Sequence, residues 1–373
     1  MSASPGPFHL EALSFSGLEG WAEDDPSPLF PALKDVLDHL QNAKPYRTGS
    51  LGVTAADLLP LLGAATEAAP RSAAEARAFF ETHCQPFRIV PHAAARGFVT
   101  GFYEPEVEVS ATPDAAWRYP FYRRPDDLVD VDDDNRPAEM DADYRFGLKK
   151  PDGSIGFYAD RGEIDRGALE GRGLEIAWAK SKVDVFFAHV QGAARLVYPD
   201  GSVRRITYSA KAGHPFSGIG RYLVDHGELD LATISMQTIR AWLAEHPDRV
   251  DEILWQNRSY IFFREAEVEG LAKGPIAAAK VPLIAGRSLA VDRLIHTFGC
   301  PFFVSSQTLT HLDKGQPFRR LVLALDTGTA IVGPARGDIF TGSGFEAGNQ
   351  AGTIRNAADF VILIPNGAAE RFR

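Results

Sequence analysis

Apolar positions recur at helical spacing early in the chain and at strand spacing towards its end. Over residues 28–41, Leu29, Leu33, Val36, Leu37 and Leu40 fall on one helical face. Thr54-Ala-Ala-Asp57 and Ser72-Ala-Ala-Glu75 each place a hydroxyl three residues ahead of an acid, the pattern of a helix N-cap. The second predicts a helix through Phe79 and Phe80. Residues 88–104 alternate instead, and Val99-Thr-Gly-Phe-Tyr-Glu-Pro105 reads as a strand running into a turn. Strands are predicted over 183–190, 194–198 and 202–208, with Asp200-Gly201 as a hairpin turn between the last two. Residues 217–226 and 235–245 read as helices, with Gly227 stopping the first and a third short helix near Pro247 over 247–256. Beyond Ser259 helix signals nearly vanish. Short apolar runs at 260–263, 321–325, 330–332 and 360–364, punctuated by Gly, give the texture of a barrel or sandwich.

Composition narrows the class. Of 373 residues 45% are hydrophobic and 24% charged, enough apolar material for a core and too much for a disordered chain. No run of about 18 apolar residues suggests a membrane span. The net charge of −10 argues against a nucleic-acid partner, which asks for a basic surface. Two cysteines, Cys84 and Cys300, exclude a disulfide framework and leave a single bridge open. The start, Met1 to Pro5, has no basic or apolar leader region, so the chain is expected to be cytosolic or a mature form whose export signal has been removed.

The candidate chemistry is carboxylate chemistry. HExxH, Walker A and GxSxG motifs are absent, and Gly342-Ser-Gly344 lacks the spacing of a dinucleotide loop. The six aspartates over 126–134 read as a solvated loop. A calcium site is the sharper alternative, but it asks for a glycine turn that this segment lacks. The ten histidines form no ligand pair at helical spacing, and no metal is expected; His189, His214 and His296 read as packing residues. Asp292, Asp326 and Asp338 each sit at an edge of an apolar run. Acids there are costly to bury without a partner, yet Asp-Thr-Gly is also ordinary turn chemistry. The pattern alone leaves both readings open.

The motifs carry more. Asp292 after Ala-Val, Asp326-Thr-Gly-Thr-Ala-Ile-Val-Gly333 and Asp338-Ile-Phe340 resemble, in order, the three-aspartate domain of bacterial cell-wall enzymes. Thr329 stands where that pattern has its second glycine. Thr100-Gly-Phe-Tyr-Glu-Pro105, Val190-Gln-Gly192 in what that pattern has as a strand, residues 208–220, Ser235-Met-Gln-Thr-Ile239, residues 256–263 and Glu346-Ala-Gly348 extend the likeness. Together they resemble the membrane-bound lytic transglycosylase A family, from about residue 88 to 365. The first 25 residues show no such match.

The resemblance implies a mainly β fold with helices. A double-psi β-barrel is expected from residues 1–105 and 264–373, and an inserted β-rich substrate-binding domain from 106–263, with the substrate groove between them. It implies cleavage of the β-1,4 bond between N-acetylmuramic acid and N-acetylglucosamine of peptidoglycan glycan strands, with 1,6-anhydro ends and no cofactor. By motif position Asp338 is the acid and base, and Asp326 a neighbour that tunes it. Thr100, Tyr103, Gln191, Tyr208 and Asp292 are the substrate-binding candidates; the two tyrosines fit a core role as well, and Asp292 a structural one. A monomer on the periplasmic side of the outer membrane is implied, anchored through a removed N-terminal segment. A non-catalytic wall-binding protein and a two-carboxylate β-1,4 glycan hydrolase are the competing readings.

Overall fold

The computed structural model describes residues 7–92, 96–266 and 273–373. The Met1 to Pro5 start and the middle of the expected 88–104 strand therefore lie outside the described residues. The chain is mostly β with helices, and it divides into two compact units: Met1–Tyr103 with Gly270–Arg373, and Glu104–Glu269.

The first unit carries eight strands: β1 (Phe8–Ala12), β2 (Cys84–Pro91), β3 (Gly97–Glu104), β4 (Ser288–Val291), β5 (Pro301–Ser306), β6 (Phe318–Asp326), β7 (Arg336–Ser343) and β8 (Arg355–Pro365). Their order is β1-β2-β8-β5-β6-β4-β7-β3, and β8 also pairs with β3. That extra pairing closes β8, β5, β6, β4, β7 and β3 into a ring of six strands. β8 is long enough to serve three partners. Its residues 355–358 pair with β3, 359–362 with β5, and 361–365 with β2. A strand covered on both faces reads as a continuous apolar run. Every residue of Leu321-Val-Leu-Ala-Leu325 is buried, alongside Phe302, Ile339, Phe360 and Ile362.

Helices Phe30–Asn42 and Ala55–Glu67 add Leu33, Val36, Leu58 and Leu62 to the same core. The two expected N-caps form: Thr54 Oγ1 accepts from Asp57 N at 3.1 Å, and Ser72 Oγ accepts from Glu75 N at 3.2 Å. Cys84 and Cys300 are buried and unbridged, and burial pushes both thiols up.

The second unit holds a six-stranded sheet in the order Ile261–Ala266, Val203–Lys211, Ala193–Val197, Glu106–Ser110, Glu175–Ala179 and Tyr119–Tyr122. Asp200-Gly201 makes the expected hairpin, with Gly201 at φ 82°. Glu104, fully buried, accepts from Arg195 Nε at 2.9 Å and Arg205 Nε at 2.5 Å, tying two sheet strands together. Aspartates of the 126–134 segment pair with arginines: Asp127 with Arg172, Asp130 with Arg124 and Asp133 with Arg136. Among the described residues no group of three or more His, Cys, Asp or Glu is placed to hold a metal.

Four expectations fail locally. Residues 183–190 are not a strand but lie within helix Lys182–Gln191, capped by Ser181 and closed by Gly192 at φ 76°. Its Val and Phe content suggests a strand, but Phe186 and Phe187 pack beneath the neighbouring helices instead. The Val-Gln-Gly element therefore ends a helix. Residues 330–332 are no strand: Ile331 N donates to Gly328 O in a turn, and Val332 is exposed. Pro105 makes no turn; extended backbone resumes at once in Glu106–Ser110. A helix, Gly344–Thr353, lies where helix signals seemed spent. Its Gly348 is required by packing, since a Cβ there would stand 2.7 Å from the Tyr103 ring.

Candidate active site

The site grows from strand register. Ala290 of β4 pairs with Asp326 of β6 on one side and Asp338 of β7 on the other. Directly paired residues project from the same sheet face. Both carboxylates therefore share one face, their backbones about 10 Å apart across two strand spacings. An irregularity on β6 makes this possible. Leu289 pairs with Ala324 but Ala290 with Asp326, so the bulge skips Leu325 and brings the acid into register.

Arg336 precedes Asp338 by two positions on β7 and projects from the same face. Its Nη1 donates to Asp338 Oδ1 at 2.9 Å, and its Nη2 to Thr100 Oγ1 at 2.8 Å. The guanidinium also lies 5.6 Å from the Phe98 ring centre. The Asp338 side chain keeps 19% of its surface exposed, enough for a reactant to reach it. Burial pushes its carboxyl above the usual range, while the charge and hydrogen bond of Arg336 pull it back.

Asp326 is pushed up to about 6, chiefly by burial. The N–H groups of Thr327 and Ala278 and the charge of Lys280 oppose this, and the charge of Asp338 adds to it. The group touching Asp338 is thus Arg336 rather than Asp326. Sequence reasoning passed over Arg336, although an arginine two positions from an acid on a strand necessarily shares its face.

A raised carboxyl weakens the fold once it ionises. Its favourable contribution is present below about pH 4 and is lost as the pH rises through about 6. Asp326→Asn keeps an acceptor for Ala278 N and removes that loss. At pH 7 the variant should be more stable by about 2–3 kcal/mol, at about 1.4 kcal/mol per pKa unit, and its melting temperature higher by several degrees. At pH 4 the two proteins should melt alike. Equal melting temperatures at pH 7 would show that folding does not desolvate the carboxylate.

The other candidates separate into two groups. Thr100 joins the Asp338 cluster through Arg336. Tyr103 is 7% exposed and packs beside Gly348, so its ring is a core element rather than a presented face. Asp292 is buried, and both oxygens accept backbone N–H groups, from Leu294 at 3.0 Å and Gly333 at 2.9 Å. It clips the loop that joins Asp326 to Asp338. Thr327 Oγ1, donating to Val291 O at 2.8 Å, and His296 Nε2, donating to Pro334 O at 2.7 Å, secure the same loop. Gln191 and Tyr208 belong to the second unit. They come together there because Tyr208 N donates to Gly192 O at 2.8 Å, and Tyr208 is 42% exposed.

Residues 98–264 match the model of the MltA specific insert domain, and residues 287–364 that of the 3D domain. A crystal structure of membrane-bound lytic murein transglycosylase from Agrobacterium tumefaciens is 66% identical. It superposes with a TM-score of 0.94, over 98% of this chain and 100% of that one. Membrane-bound lytic murein transglycosylase A of Escherichia coli K12 is 34% identical over 260 residues. That match spans 68% of this chain but only 61% of the curated relative. E. coli MltA solved with bound chitohexaose is 27% identical with a TM-score of 0.68, over 96% of this chain and 93% of that one.

Proposed function

The chain belongs to the membrane-bound lytic murein transglycosylase A family, and on that premise we propose that it cleaves peptidoglycan glycan strands without water. The bond cut is β-1,4, between N-acetylmuramic acid and N-acetylglucosamine, and the product ends in 1,6-anhydromuramic acid. The six-strand ring of the first unit is the double-psi β-barrel and carries the chemistry. The second unit is the inserted domain and binds glycan, with Gln191 and Tyr208 as its contacts. The place of action is the periplasmic side of the outer membrane, where the protein works as a membrane-anchored monomer.

The observation that carries this reading is one accessible carboxyl, Asp338, raised by burial and fixed in direction by Arg336. An ordinary glycosidase needs two carboxyl groups. Here the substrate supplies its own nucleophile, the 6-hydroxyl of the muramic acid ring. Asp338 first protonates the leaving glycosidic oxygen. The resulting carboxylate then takes the proton of the 6-hydroxyl as that oxygen closes on C1. Proton and electron pair balance without water, and Asp338 ends protonated for the next cycle. Asp326 shapes the local field, Thr100 anchors Arg336, and Asp292 holds the loop between the two acids.

Mass analysis of muropeptides released from isolated peptidoglycan tests the proposal. Anhydro ends, lighter than the reducing sugar by one water, are expected throughout. Reducing ends would make the protein a hydrolase, with Asp326 as second carboxylate on the shared face. Binding without any release would make it a non-catalytic wall-binding protein.

A further inference from the structure

Between Gly274 and Gly286 the chain carries a single charged residue, Lys280. Residues 277–281 form a tight hairpin loop. Lys280 N donates to Ala277 O at 2.9 Å, and Ala277 N to Val281 O at 3.1 Å. The last position of a three-residue loop of this kind takes the left-handed backbone that glycine adopts freely. Lys280 takes it instead, at φ 63°, one of two non-glycine residues with a positive φ among those described. A strained residue persists only where its surroundings over-determine it, and such strain gathers at functional sites.

The surroundings here do fix the loop. Ala278 N donates to Asp326 Oδ1 at 3.2 Å, Ala279 N to Leu325 O at 3.0 Å, and Tyr46 OH to Ala279 O at 2.7 Å. The loop is thus fastened to the end of β6 beside the acid. The Lys280 side chain is exposed and makes no hydrogen bond or salt bridge among the described residues. Its charge still acts on Asp326, so the ammonium stands near the acid face without being bound to it. Arg336, also a cation of that face, is committed to Asp338 and Thr100.

We propose that Lys280 selects for a carboxylate carried on O3 of the reacting muramic acid ring. This rests on the peptidoglycan reading above. The ring must place its C1 oxygen against Asp338, so its O3 arm starts within one sugar ring of that carboxyl. The backbones of Asp338 and Asp326 lie about 10 Å apart across two strand spacings, the span of a sugar ring with a short arm. An anionic arm directed towards Asp326 would be repelled there, and the Lys280 ammonium reverses that. N-acetylglucosamine carries no acid and gains nothing from it. The carboxylate has two sources: the lactyl group itself where the peptide has been removed, and the acidic residues of a peptide stem where it has not.

The test uses soluble tetrasaccharides of alternating N-acetylglucosamine and N-acetylmuramic acid in three forms: with peptide stems, with free lactyl carboxylates, and with the lactyl groups capped as neutral methylamides. Each is titrated by calorimetry into the full-length Asp338→Asn chain, which leaves it uncut, with and without a change at Lys280. Comparing charged with neutral forms in one chain cancels any effect that runs through Asp326. With Lys280 present, a carboxylate form should bind about threefold to tenfold more tightly than the methylamide. Salt of about 1 M, where the Debye length falls to about 3 Å, should remove most of that preference. Lys280→Met should abolish it and Lys280→Arg keep it. Lys280→Gly, unstrained at this φ, should abolish it as well, which separates the charge from the shape of the loop; thermal melts confirm that the variants fold. A preference shown by the bare lactyl form assigns that carboxylate, and one shown only by the stem-bearing form assigns the stem. Equal affinity for charged and neutral forms, a preference that Lys280→Met retains, or no saturable binding of any form overturns the proposal. If the unaltered chain makes anhydro ends but shows no charge preference, only this inference falls. If the preference depends on Lys280 and the unaltered chain leaves glycan uncut, the inference stands and the lytic reading falls.

Discussion

Asp338→Asn is expected to yield a folded protein that releases at most about a hundredth of the wild-type anhydro product. General acid–base catalysis contributes roughly 10²–10⁴-fold, and here one side chain serves both proton transfers. Asn has the size of Asp and can still meet Arg336 with its amide oxygen, so the Arg336–Thr100 contact keeps its geometry. It has no acidic proton to give and no basic oxygen with which to take one back. The loss should appear in kcat, since glycan contacts remain. Muropeptide release per enzyme, with a thermal melt on the same sample, checks both halves of the statement. Wild-type turnover by the variant would move the acid elsewhere, and Asp326, on the same face across Ala290, would be next in line.

The role of burial is central to that expectation. An aspartate at its ordinary pKa of about 3.9 is almost wholly ionised near neutral pH. Burial in β7 moves Asp338 towards the protonated form, and Arg336 moves it partly back. The guanidinium has a compensating use: it stabilises the carboxylate that appears after the first proton transfer. One charged neighbour thus limits the fraction of competent acid and steadies the base that follows.

Much of this was legible in the chain, and the parts that were not share a physical cause. Helix caps are local, so Thr54 with Asp57 and Ser72 with Glu75 could be read from four residues each. The Asp200-Gly201 hairpin is local in the same way. Helix Lys182–Gln191 was misread because its apolar residues suit either element; what decides is the packing of Phe186 and Phe187 beneath distant helices. Helix Gly344–Thr353 was missed because its glycines lower helix propensity, and the demand for Gly348 comes from Tyr103, far away in sequence. In the site, ordered motifs indicated Asp326 and Asp338. That both flank Ala290 is a matter of register and of a bulge at Leu325, which no local pattern encodes. Arg336 was readable from strand period alone, once β7 was known to be a strand.

The same non-local pairing predicts the fate of a severed chain. Residues 264–373 alone should fail to melt cooperatively and should aggregate. They retain β4 to β8 but lose β2 and β3. Residues 355–358 and 363–365 of β8 would then lack partners, 361–362 would be left with β5 alone, and β7 would lose its neighbour β3. Open edges of this length template association. The core loses as much. Leu33, Val36, Leu58, Leu61, Leu62, Phe80, Phe87 and Val99 all lie before residue 104, and each is at most 1% exposed. At about 1.5–3 kcal/mol for each large buried side chain, their absence outweighs the 5–15 kcal/mol net stability of an ordinary domain. A chain joining 1–105 to 264–373 through a short linker restores both edges and the core, and should melt cooperatively. Circular dichroism against temperature on the two chains decides. A cooperative melt from 264–373 alone would mean that its five strands close without β3, and the ring described here would not be the unit that folds.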